Sequence, residues 1–138
     1  MGEFLLLEHT ADVGILASGE SLAEALSWVA KGMFSLIVEL DDVVPRESLE
    51  ISVTSPDPSA LIVDWLNELI YRYEAEGFLP KEFDVTVDKK GTTLQARCMG
   101  ESLDLERHRI LSSVKAATYH GLEASHNGEW RIQVILDV

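Results

Sequence analysis

The chain has 138 residues, 46% of them hydrophobic and 25% charged, which is one domain of ordinary globular composition, long enough to bury a core without staples. Its single cysteine, Cys98, excludes an internal disulfide and a multi-cysteine zinc site, and no apolar run approaches the ~20 residues that cross a bilayer. Eleven Lys and Arg against 24 Asp and Glu leave a net charge of −13, which disfavours direct nucleic-acid binding and suits a basic protein partner, a cation held by carboxylates, or solubility alone.

The N-terminus has no basic stretch leading into a signal-like apolar core, so the expected compartment is the cytoplasm. Glu3 to Glu8 and Val13 to Ser18 read as two strands joined by the segment HTAD. SLAE then opens a helix: Ser21 is a good N-cap, and Glu24 three residues later completes a capping box. Leu22, Leu26, Val29, Met33, Phe34 and Ile37 recur at helical spacing and predict one buried face. An acidic, proline-containing connection, ELDDVVPR, follows over residues 39–46.

Leu49 to Thr54 alternates as a short strand that SPDPS ends. Asp57 is placed to cap a second helix, with Pro58 at its first position, where a missing N–H costs little. Leu61, Ile62, Trp65, Leu66, Leu69, Ile70 and Tyr73 predict its apolar face, and Gly77 its end. DVTVD, KKGT and TLQARCMG predict a hairpin. SLDLERHRILSSVKAA reads two ways, its charged half as a short helix or a loop and its end as the start of a strand. TYHGLEAS and EWRIQVILDV predict a last hairpin around Asn127-Gly128. Without repeats, linkers or low-complexity tracts, residues 1–138 read as one α+β domain in two layers, a largely antiparallel sheet packed against two main helices.

Three stretches carry residues of chemical interest. In HTAD, Asp and Thr serve equally well to satisfy their own backbone in a turn, or Asp12 points an acceptor-only carboxylate at a cation or donor, with His9 three residues earlier orienting it or meeting a partner. In RIQVILDV, alternation puts Ile132, Val134 and Leu136 on one face and Gln133, Ile135 and Asp137 on the other. An exposed strand end tolerates a lone Asp137. If the first and last strands were neighbours, Asp12, Asp137 and Val138 would instead converge as the oxygen set that hard divalent ions take. KAATYH, residues 115–120, offers Lys, Thr, Tyr and His to a phosphate, a carboxylate or a partner, or is a half-buried strand with its polar residues outward. Asp64 and Glu68 lie four apart on the second helix, an acid–base pair or a solvated face, with Arg72 placed to pair with Glu68. His108 and His126 read as part of a charged stretch and of a turn. Cys98 has no motif around it and reads as a buried thiol. There is no P-loop, no Gly-rich dinucleotide fingerprint, no HExxH and no G-x-S-x-G.

Together, HTADVGI, the helix ending in KGMFSLI, DWLNELIY, KAATYH and the final ILDV resemble the archease family, in order and over essentially the whole chain. The resemblance implies a cytoplasmic protein cofactor, not an enzyme, that activates an RtcB-type RNA ligase in tRNA splicing or RNA repair, promoting its guanylylation and repeated turnover. It implies a divalent cation at Asp12, Asp137 and a main-chain or terminal oxygen of Val138, calcium in a structure and magnesium or manganese as alternatives. His9, Lys115, Tyr119, His120 and, more remotely, Glu68 are the expected partner contacts, with no membrane and no direct nucleic acid. The competing expectations are a small metal-dependent hydrolase or phosphotransferase using Asp12, Asp137 and His120, and a general chaperone whose metal is structural.

Overall fold

A computed structural model describes residues 2–8 and 12–138. Its elements run β1 (Glu3–Glu8), β2 (Asp12–Gly19), α1 (Leu22–Ile37), a 3-10 turn (Leu40–Asp42), β3 (Glu47–Thr54), α2 (Pro58–Glu76), β4 (Phe78–Val87), β5 (Thr93–Ser102), β6 (Ala116–His126) and β7 (Trp130–Asp137). The α+β architecture expected from the sequence holds. The antiparallel strands are divided between two sheets, a four-stranded one in the order β1-β2-β7-β6 and a three-stranded one in the order β3-β5-β4.

Both helices start where their caps predict. Ser21 Oγ accepts the Glu24 N–H at 3.0 Å, and the Glu24 carboxylate reaches back to the Glu20 N–H at 2.7 Å, one residue earlier than a capping box requires. Asp57 accepts the Ala60 N–H at 2.8 Å, with Pro58 following it at the first helical position. Gly77 ends α2 with φ of 68°, a conformation that a residue with a Cβ adopts at a cost.

Both helices touch both sheets, α1 lying chiefly on β2 and β4 and α2 chiefly on β6. Every residue of the predicted α1 stripe is buried, and so are Leu61, Ile62, Trp65, Leu66, Leu69 and Ile70 of α2. Trp65 fixes one helix to the other through a buried bond from its Nε1–H to the Leu26 carbonyl, 3.0 Å long. One apolar cluster includes residues of both helices and both sheets, with Ile15, Ile132, Val134 and Leu136 as its floor on the larger sheet.

Residues 103–115, whose charged half reads from the sequence as a short helix or a loop, form an irregular strap with a turn at 105–107. Its middle is bridged to the end of α1: the Glu39 N–H donates to the Arg109 carbonyl at 3.3 Å, and the Leu111 N–H to the Ile37 carbonyl at 2.8 Å. Its first half is fastened by a buried carboxylate. Glu101, 2% exposed, accepts from Arg107 Nη2 at 2.6 Å and pairs with Arg46 Nε at 3.1 Å through one oxygen. Its other oxygen accepts the Val44 N–H and His108 Nε2–H, both at 2.8 Å. His108 Nδ1 accepts the Asp104 N–H at 2.9 Å, which assigns the ring proton to Nε2.

Candidate functional site

The larger sheet brings the two ends of the sequence together. β2 and β7 run antiparallel in unbroken register from Gly19 opposite Trp130 to Asp12 opposite Asp137. On β7, Ile132, Val134 and Leu136 face the core, as their alternation predicts, so Asp137 belongs to the outer face together with Gln133 and Ile135. Directly opposed residues of an antiparallel ladder share a face, with Cα atoms about 5 Å apart. Asp12 and Asp137 are therefore two carboxylates held side by side at the rim of one face.

That arrangement is unfavourable as it stands. Like charges directly opposite one another destabilise a sheet, and among the described residues neither carboxylate has an ion-pair partner. Asp12 is half-buried, and its Oδ1 is shielded from solvent without a hydrogen-bond donor among the described residues. A buried carboxylate oxygen without a donor is costly. A cation would supply what this pair lacks, and oxygen donors suit a hard divalent ion such as calcium, magnesium or manganese. Among the described residues no three His, Cys, Asp or Glu side chains are grouped closely enough to hold a metal. Such an ion would thus rest on the two carboxylates and on main-chain or water oxygens.

The neighbouring strand supplies the next groups. Ala116 lies opposite Asp137 on the other side of β7, and the Lys115 N–H donates to the Asp137 carbonyl at 2.8 Å. The Lys115 side chain is exposed and has no ion-pair partner among the described residues. From Thr118 to Glu123 the register shifts, so that four β6 residues, 119–122, lie opposite the single β7 residue Val134. Gly121 makes this bulge possible with φ of 67°, and Gln133 Nε2 pins it by donating to the Gly121 carbonyl at 2.9 Å. The bulge leaves Tyr119 and His120 exposed and puts His120 on the wall of a depression of about 310 Å³ shared with Asp12, Leu7, Gln133 and Ile135.

The candidate residues therefore separate. Asp12, Asp137 and His120 lie on neighbouring strands of one sheet, with Lys115 directly before β6, Tyr119 on the same bulge as His120 and Val138 directly after β7. Glu68 is elsewhere: it accepts from Arg72 Nε at 2.7 Å, as its spacing predicts, and lines a separate depression with Asp64, Asn67 and the end of β3. His9 lies outside the described residues, as does most of the HTAD turn. Gln133 and Gly121, which shape the bulge, were not singled out from the sequence. Nor was Asn67, whose amide fastens α2 to β6 by accepting the Ala117 N–H at 2.8 Å and donating to the Ala117 carbonyl at 3.3 Å.

The Archease protein family (MTH1598/TM1083) matches the chain over residues 4–138. A protein named "Protein archease" from Pyrococcus abyssi is 38% identical over 135 residues, covering 95% of each chain. One of the same name from Sulfurisphaera tokodaii is 34% identical over 132 residues, 96% of this chain and 95% of that one. The solution structure of Methanobacterium thermoautotrophicum protein 1598 superposes with a TM-score of 0.81 at 31% identity, over 99% of this chain and 98% of that one. By a family match that spans nearly its whole length, the chain belongs to the archease family.

Proposed function

We propose that this protein is a cytoplasmic activator of an RtcB-type RNA ligase, serving tRNA splicing or RNA repair as a protein cofactor without catalysing ligation itself. The observation that carries the reading is the facing pair Asp12 and Asp137, with its shielded and unpartnered oxygen, in a chain of this family. Asp12, Asp137 and a main-chain oxygen of Val138 would hold one divalent cation, which when bound neutralises the pair and leaves positions open to a partner's ligands. Lys115 and the Tyr119–His120 bulge stand beside that pair as the groups that meet the ligase, and His9 remains a further candidate. The charge of −13 lets the protein approach a basic RNA-binding channel without competing for phosphate on its own account.

The test is multiple-turnover RNA ligation by the ligase of the same organism, with the native chain and with Asp12→Ala and Asp137→Ala variants whose folding is checked by thermal melts. Stimulation by the native chain and its loss in folded variants is the expected result. Stimulation retained by folded variants would make the cation structural. Hydrolysis of a phosphoester by the native chain alone, with no effect on the ligase, would replace the activator by an enzyme.

A further inference from the structure

The two edges of the larger sheet are treated differently. At β6 the edge is closed: the Asn67 amide occupies both the N–H and the carbonyl of Ala117 as another strand would, and the bulge at 119–122 interrupts the rest. At β1 the edge is open. Among the described residues, none outside β2 hydrogen-bonds the main chain of residues 3–8. The strand EFLLLE contains no proline, no lysine and no bulge, and its register with β2 is continuous from Glu3 opposite Ser18 to Glu8 opposite Val13. Proline, lysine and bulges are among the devices by which sheet edges are kept from pairing, and here the only charges on the edge are the glutamates at its two ends. Leu5 on the outer face is 56% exposed and Leu6 on the inner face 42%, so side chains on both faces of the strand lack full cover.

We infer that the β1 edge is a docking site for an extended segment of a partner protein with apolar centre and basic ends, added to the sheet as a fifth strand. Charge selects this occupant over a second copy. A second copy added at this edge would bring together two chains of charge −13. A strand with basic ends approaches a chain of that charge favourably, with one basic end placed opposite Glu3, and its main chain satisfies the open donors and acceptors. The inference does not depend on the ligase reading, because it is tested without ligase.

The probe is a capped heptapeptide, KVTITVK, titrated into the full chain while amide exchange is followed residue by residue. The expected result is at least tenfold slower exchange confined to residues 3–7 at saturation. Binding should weaken at least fivefold in Leu6→Lys, which places an inward-pointing charge on the edge, and in Leu5→Lys at the more exposed position. A control peptide with proline at its centre should not bind. Protection elsewhere, equal binding by variants that melt within a few degrees of native, or no binding at all overturns the inference. So does dimerisation of the native chain through residues 3–7, which would give the edge to a second copy.

Discussion

Replacing Glu101 by Gln removes one charge from a site where four groups converge, with almost no change in shape. In the native chain one oxygen serves Arg107 and Arg46 and the other serves the Val44 N–H and His108. A glutamine has one acceptor oxygen and one NH2, so whichever way it turns, two donors face its NH2. The Arg107 guanidinium first, then the Val44 N–H and His108, hold the Glu101 carboxyl down at about 2 against a normal 4.5, in opposition to the upward push of burial. That difference corresponds to roughly 3 kcal/mol of linked stability. Because the Arg46 and Arg107 side chains are 56% and 40% exposed, solvent screens them and leaves about 1–2 kcal/mol for the charge itself. The two stranded buried donors add about 1–2 kcal/mol. We therefore expect Glu101→Gln to cost about 2–4 kcal/mol at pH 7, or roughly 10 °C in a domain of this length. The charge-dependent part is fully present above pH 4.5 and is lost as pH falls toward 2, because the native carboxylate then takes up the proton it resisted. Urea titrations of both proteins between pH 7 and pH 2.5 measure this directly. A stability difference that stays constant over that range, or one below 0.5 kcal/mol at pH 7 on the ~1 kcal/mol scale of ordinary hydrogen bonds, refutes the reasoning.

Three other outcomes are expected. Calcium or manganese at about a hundred times its dissociation constant should stabilise the native chain by about 2.7 kcal/mol and leave Asp12→Asn unmoved; equal melting shifts in both proteins would dismiss Asp12 as a ligand. Asn67→Ala removes both bonds to Ala117 and should cost about 1–2 kcal/mol, with faster amide exchange at residues 116–118 in particular; uniform loosening along the whole chain would contradict that local role. The Cys98 thiol is fully buried and burial pushes it up to about 12, so a disulfide reagent at pH 8 should label it only in denaturant; prompt labelling of the native protein would show that β5 opens.

The local elements were legible because their signals are local. Ser21, Asp57-Pro58 and Gly77 mark helix ends through bonds to residues within a turn or so, and the α1 and α2 stripes need no knowledge of what they pack against. The site was half legible. Alternation put Asp137 on the outer face of its strand, but periodicity says nothing about which strand lies beside it, so the facing of Asp12 and Asp137 had to come from the fold. The same limit hid Glu101, whose four partners come from two segments, residues 44–46 and 107–108, and which in CMGESLD looks like one more solvated acid. It also hid Asn67, which reads as a polar residue on a helix surface while closing a sheet edge fifty residues on. The strand division into two sheets was invisible for the same reason, since antiparallel strands alternate alike in either.

The pairing of β2 with β7 also orders the assembly of the molecule in time. On a chain emerging from the ribosome, β3, α2, β4 and β5 can meet while residues beyond 102 are still being made, because their partners lie within one contiguous stretch. β2 must wait, its inner flank uncovered, for a strand synthesised more than a hundred residues later, and closing so long a loop is the slow step of a fold rich in distant contacts. Asp12 and Asp137 come face to face only when that last strand zips in. Whatever binds there reads a closed β2–β7 pair, and a chain that stops short of β7 offers it one carboxylate instead of two.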